Sequence, residues 1–334
     1  MILFRAILIS CAASAVMLVL SKPVEAHDIV GIFAEEKLPE DVRQKIDERR
    51  SLRASFSSLS SSVALDLSQL EAVIRWSATW SPAKPIRVCF FEGDQVLRER
   101  IANIASVWTQ HGNVSFDFES AGSIPTCGGS SKIDIRISFR GRGHWSYVGT
   151  DSMLISADER TLNLEDFDVA SPSEREFSRI VLHEFGHALG FEHEHQSPMA
   201  TCDDEFDWPL IYKSIPWSKR KIDHNLRQLA NSSAFLVSEY DKRSIMHYSL
   251  PARFFKRGRD SGCYIEANYV LSGRDEEGMR FAYPVVASRV LSEELPQIEM
   301  LFELPQLTDV QRDQLGALYE MLGRVEGQRR LSEE

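Results

Sequence analysis

Paired cysteines of the CxxC type are missing from this 334-residue chain, which excludes a cysteine-based zinc ribbon. Basic side chains are in deficit, with 38 Lys+Arg against 49 Asp+Glu and a formal net charge of −11. That balance argues against a nucleic-acid partner, because phosphate recognition rests on clustered Lys and Arg. No internal repeat occurs, and no Ser/His/Asp or Cys/His constellation stands out. The apolar run at residues 6–20 falls short of the roughly 20 residues that span a bilayer, so no stable membrane span is expected. What remains is ordinary globular composition, 43% hydrophobic and 26% charged. The length allows one large domain or two modest ones.

Cysteine is scarce, five in all, and an odd count leaves one thiol over in an exported protein. The first residues resolve this. Residues 1–26 read as a secretory signal peptide: Arg5 is the positive n-region, an apolar run follows, and Val24-Glu25-Ala26 ends on a small residue suited to cleavage. Leu8-Ile9-Ser10-Cys11 looks like a lipobox, but the apolar run is too short before it and too long after it. Cleavage removes Cys11 and leaves Cys89, Cys127, Cys202 and Cys263, an even set with three connectivities open. The expected location is secreted or periplasmic.

The mature chain divides into three zones. Residues 27–84 form an N-terminal segment or propeptide, with a Ser-rich patch at 55–62 and helical pieces expected around 40–53 and 65–75. Residues 85–284 carry the α/β pattern of a catalytic domain. Ile86 to Phe91 reads as a strand, and Asp94 caps a helix with Leu97, Ile101, Ile104, Ala105 and Trp108 on one face. Val114, Phe116 and Phe118 alternate, as do Ile133, Ile135, Ile137 and Phe139, which predicts two half-buried strands. Gly141 to Gly149 (GRGHWSYVG) suits a rim loop or edge strand. Residues 285–334 carry 5 basic and 10 acidic side chains, net −5. Thr308 is placed to cap an amphipathic helix bearing Leu315, Leu318 and Leu322 there, so accessory C-terminal helices are expected.

The chemistry concentrates in one helix. Ser171-Pro172-Ser173-Glu174 predicts its start, with Ser171 as N-cap and Glu174 completing a capping box. Its end is set at Gly190. Within it, His183 and His187 are four residues apart, one turn along the same face, where both imidazoles reach one zinc ion. Glu184 sits beside them as general base. Gly190 turns the chain so that His193 returns as third ligand, completing HEFGHALGFEH. His195 is expected at the periphery of the site. His27, His111, His144, His224 and His247 lack ligand spacing and read as surface or structural.

HExxHxxGxxH followed by Ser244-Ile245-Met246-His247-Tyr248 resembles the metzincin layout. The strings HEFGHALGFEHEH and YDKRSIMHY resemble the astacin family of zinc endopeptidases in particular. Trp145 to Gly149 is similar to that family's rim strand, and Leu271 to Asp275 with Tyr283 to its last catalytic helix. The likeness covers about residues 85–284. It implies an α+β fold: a mixed, mostly parallel twisted sheet, two long helices of which the second carries the zinc motif, and a smaller C-terminal half. It also implies one catalytic zinc ion on His183, His187 and His193, with Tyr248 as an additional ligand able to swing away and steady an oxyanion. Met246 would floor the site, and Glu194 would match the glutamate that astacins pair with the mature N-terminus. The substrate would be a protein or peptide.

Departures accompany the likeness. Gln196 to Asp207 replaces the usual Arg- and Asp-rich stretch and introduces Cys202. The expected pairs, Cys89–Cys127 and Cys202–Cys263, stay within one half of the domain each, whereas astacins typically tie a far C-terminal cysteine back to the N-terminal half. Phe91-Glu92-Gly93-Asp94 spells the string in which astacin propeptides hold a zinc-blocking aspartate, but its strand-to-helix position makes Asp94 a helix cap. A catalytically inactive, zinc-stabilised binding protein is the alternative function, and the presence of Glu184 and Tyr248 argues against it.

Overall fold

The computed structural model describes residues 72–75, 78–80, 85–118, 123–128, 133–230, 235–236 and 239–283. The expected signal peptide, most of the N-terminal segment and the acidic C-terminal helices lie outside these residues.

The sheet grows from the apolar strands that the sequence marks. Ile86–Phe90 (β2) pairs in parallel with Phe116–Asp117 (β3) on one side and Ile135–Ser138 (β4) on the other. Strand β4 pairs in parallel with Leu162–Leu164 (β6), and His144–Ser146 (β5) closes the edge antiparallel to β6. The order is β3-β2-β4-β6-β5. This is the mixed, mostly parallel sheet expected. The 141–149 stretch does supply an edge strand.

Strand β4 departs from the half-buried expectation. All four of its residues are buried, because it is a central parallel strand covered on both faces. Arg136 is accommodated there by donating to the carbonyls of Glu159 at 2.7 Å, Ile155 at 3.1 Å and Ser152 at 3.3 Å. Alternation in the sequence thus marks a polar face that the tertiary structure covers.

Two long helices lie on the sheet. Gln95–Thr109 (α1) starts at Asp94, whose carboxylate accepts from Leu97 N at 2.8 Å. Asp94 is therefore a helix cap. The face bearing Ile101, Ala105 and Trp108 is buried against Glu174–Ala188 (α2) and the sheet. The N-cap of α2 is Ser173, which accepts from Glu176 N at 3.5 Å, and not Ser171. Both serines suit a cap; Ser171 and Pro172 precede the helix, and the expected start is corrected by two residues. At the other end Gly190 takes φ +100°. Gly190 N donates to His187 O at 2.8 Å and Phe191 N to Gly186 O at 3.0 Å, the paired bonds of a Schellman motif.

A smaller second core forms downstream from Phe206, Ile211, Ile222, Phe254 and Phe255, with Trp208–Ser214 (α3) and Lys219–Leu226 (α4) around it. Gly273–Ala282 (α5) returns to the first core through Met279 and Ala282. The disulfides pair as expected, Cys89–Cys127 with Cα atoms 5.1 Å apart and Cys202–Cys263 at 5.4 Å. Cys202–Cys263 lies in the second core, and Cys89–Cys127 ties β2 to the segment at residues 123–128.

The folded unit begins upstream of residue 85. Ala72, Val73 and Ile74 are buried, and Ile74–Arg75 (β1) pairs antiparallel with Phe235–Leu236 (β7). The described end of the stretch expected to be helical is thus extended. A two-residue strand has no periodicity to show; its partners, not its sequence, make it one.

Candidate metal centre

Helix α2 places His183 and His187 on one buried face, and the turn at Gly190 brings His193 back to them. The Nε2 atoms of His183 and His187 are 3.1 Å apart, and those of His187 and His193 are 3.0 Å apart. One potential ligand atom from each of the three residues lies within 4.8 Å of the others. Among the described residues no other such group occurs.

The opposite ring nitrogens show what these atoms are for. His183 Nδ1 lies 2.8 Å from Ile245 O, His187 Nδ1 2.8 Å from Phe191 O, and His193 Nδ1 2.8 Å from Gln196 Oε1. Each acceptor requires Nδ1 to carry the proton, which leaves a lone pair on every Nε2. Three lone pairs then face one point at close range, which is unfavourable unless a cation sits among them. Burial holds His183 and His193 well below the usual histidine range, so neither relieves the crowding by protonating. Neutral imidazoles converging with fixed tautomers are the donor set of a catalytic zinc site.

Glu184 is fully buried, and neither carboxylate oxygen has a hydrogen-bond partner among the described residues. Burial pushes its carboxyl well above the ordinary carboxylate range. An orphaned buried carboxylate next to a metal set fits a water or substrate partner. Tyr248 is also buried, its ring centroid 4.1 Å from that of His193 and 5.9 Å from that of His183. Burial, reinforced by Glu184, raises its phenol well above 10, so it keeps its proton and can donate.

Met246 lies beneath the histidines at 1% exposure, in the turn whose Ile245 carbonyl orients His183. Asp275 fastens that turn: it accepts from Ser244 Oγ at 2.6 Å and from Ile245 N at 2.8 Å, while also accepting from Ser272 N at 2.8 Å. His195 is outside the metal set, as expected, yet it is buried and stacks on Tyr248 with centroids 4.4 Å apart. His247 contacts Tyr240 and the Tyr248 carbonyl. Glu194 is not a surface carboxylate: it is 2% exposed and accepts from Asp241 N at 2.8 Å, and burial pushes its carboxyl up to about 8.

Sequence reasoning missed two supports. Gln196 orients His193 while its own Nε2 donates to His224 O and Arg227 O at 2.8 Å each. Glu192 engages Arg75 across the outer side of the same loop. No spacing marks either pairing.

A mostly parallel sheet, a helix bearing HExxH, a glycine turn to a third histidine and a methionine beneath them together define a metzincin zinc metallopeptidase. The sequence profile described as Astacin (Peptidase family M12A) matches residues 72–261, and the chain belongs to that family. It is 31% identical over 185 residues to tolloid-like protein 2 of Mus musculus, covering 54% of this chain and 15% of that one. Blastula protease 10 of Paracentrotus lividus is 27% identical over 179 residues, 53% of this chain and 26% of its own length. The chain thus spans about a quarter or less of these two relatives. The solved structure of myroilysin superposes with a TM-score of 0.55 at 33% identity, covering 65% of this chain and all of that one.

Proposed function

We propose that this protein is an exported zinc endopeptidase that hydrolyses protein or peptide substrates, with residues 85–284 as the body of the catalytic domain, residues 1–26 as a removed signal peptide, residues 27–84 as an N-terminal segment whose propeptide portion ends before residue 72, where the chain joins that domain, and residues 285–334 as an accessory acidic extension. The observation that carries the reading is Glu184: a fully buried carboxylate with both oxygens unsatisfied, next to three converging imidazole lone pairs. Two disulfides agree with an oxidising compartment outside the cytosol. Among the described residues no helix is long and apolar enough to cross a membrane.

His183, His187 and His193 would hold the metal. Zinc on three neutral imidazoles supplies Lewis acidity, lowering the pKa of water towards about 7 and polarising a carbonyl. Glu184 accepts the proton of the attacking water and delivers it to the departing amine. Tyr248 donates its phenolic hydrogen to the oxyanion that develops on the scissile carbonyl. The carbonyls of Ile245 and Phe191, with Gln196, hold the imidazoles in the one tautomer that leaves Nε2 unprotonated.

Purified protein incubated with a diverse peptide library, with and without a zinc chelator, tests the reading. Internal cleavage that the chelator abolishes and added zinc restores is the expected result. Zinc binding with no cleavage of any library member would favour the inactive binding protein.

A further inference from the structure

The third histidine is delivered by a loop, and a loop needs a reason to stay where it is. Residues 190–192 are held from outside by the N-terminal strand. Arg75 N donates to Gly190 O at 2.8 Å, Glu192 N donates to Val73 O at 2.9 Å, and Ile74 bridges Phe191 antiparallel. Nearby, Trp80 Nε1 donates to Ala188 O at 2.7 Å, satisfying a carbonyl at the end of the metal helix.

The side chain of Arg75 adds something that backbone pairing does not. Its guanidinium engages the Glu192 carboxylate and, through Nη1, Asp151 Oδ2 at 2.7 Å. All three residues are nearly dry: Arg75 is 6% exposed, Asp151 3% and Glu192 6%. Asp151 sits in the helical turn Gly149–Leu154, which has no slack towards the N-terminal segment, because a Cβ at Gly149 would fall 1.8 Å from Ala78 O. One planar fork therefore ties the residue just before His193 to a second rigid segment, in water-poor surroundings where removing one partner strands a buried charge.

We propose that Arg75 is a positioning residue for the zinc centre, fixing the segment that presents His193 through Glu192 and Asp151. Arg75 touches neither metal nor substrate; it acts on the position of the third ligand. The inference rests on the zinc site and not on peptidase activity.

Zinc dissociation constants of the full chain, measured by competition with a chromophoric chelator, test it. The variants are Arg75→Met, Arg75→Lys, Glu192→Gln and the control Arg87→Met, which breaks the ion pair with Asp134 on the sheet. Far-UV circular dichroism establishes that each is folded. Arg75→Met is expected to weaken zinc binding about 10- to 100-fold, the usual range for groups that orient metal ligands. Arg75→Lys, which keeps the charge and loses the fork, should fall between it and the parent, and Arg87→Met should bind normally. Folded Arg75→Met with parental zinc affinity overturns the proposal. Should Arg75→Met not fold, Glu192→Gln decides, and parental affinity there overturns it equally. Loss of this proposal leaves the peptidase reading intact, while a chain that binds zinc yet cleaves nothing would sink that reading alone.

Discussion

Gly186 lies directly against the sulfur of Met246: a Cβ at position 186 would sit 2.4 Å from Met246 Sδ and 2.9 Å from Trp108 Cζ2. The helix that carries two zinc ligands and the turn that floors the site meet here, in addition to the contact of His183 Nδ1 with Ile245 O. Gly186→Ala should force the turn away and destabilise the protein by about 1–3 kcal/mol, the usual cost of overpacking a filled core. Chemical denaturation measures it. Parental stability would show that Met246 can move aside without cost.

Replacing Glu184 by Gln keeps the shape of the site and removes the base. Zinc content, measured by atomic absorption, should be unchanged, while kcat falls about 10²- to 10⁴-fold, the range for positioned acid–base groups. Substantial remaining turnover would remove Glu184 from that role.

The zinc ligands were legible because their geometry is local. Four-residue spacing on a helix sets His183 and His187 on one face, and the glycine turn sends the chain back towards them, so the sequence alone marks His193 as the third ligand. Asp94 was legible for the same reason, as a cap acting on its own helix. Arg75 and Gln196 were not. Gln196 matters because Nδ1 of His193 points at it, and Arg75 because the chain returns 117 residues later with Glu192. The misplaced start of α2 has a different cause: Ser171 and Ser173 offer the same hydroxyl, and only the path of the chain chooses between them. The short strand β1 is defined by Phe191 and β7, so a window around residues 65–75 could not show it.

Tyr248→Phe tests the phenol without disturbing the ring that packs against both His193 and His195. Turnover should drop by up to about 10²- to 10³-fold, as when one oxyanion donor is deleted. KM and zinc content should change little. An unchanged kcat would mean that the hydroxyl contributes nothing to the transition state.

Asp275 gives a pH signature away from the metal. Burial is the main cause that raises its carboxyl from the ordinary 3.8 to about 6, against the donors from Ser244, Ser272 and Ile245. A folded-state pKa above the unfolded one means the native state holds the extra proton between about pH 4 and 6. That contribution to stability is complete below about pH 4 and is lost as the pH rises through 6. Asp275→Asn has no such proton, so the stability advantage of the parent over the variant should narrow from pH 4 to 6, followed by thermal melting of the zinc-loaded proteins. A widening gap would show that the three hydrogen bonds outweigh burial.

Two of the three imidazoles are oriented by main-chain carbonyls, those of Ile245 and Phe191, and the third by the side chain of Gln196. A carbonyl acceptor is present whatever residue occupies its position, so mutation reaches the first two ligands only by moving the backbone. His193 alone has an orienting partner written in the genetic code. Changes in how strongly this centre grips its metal can therefore be made at position 196 by a single codon, with the helix and the floor of the site left as they are.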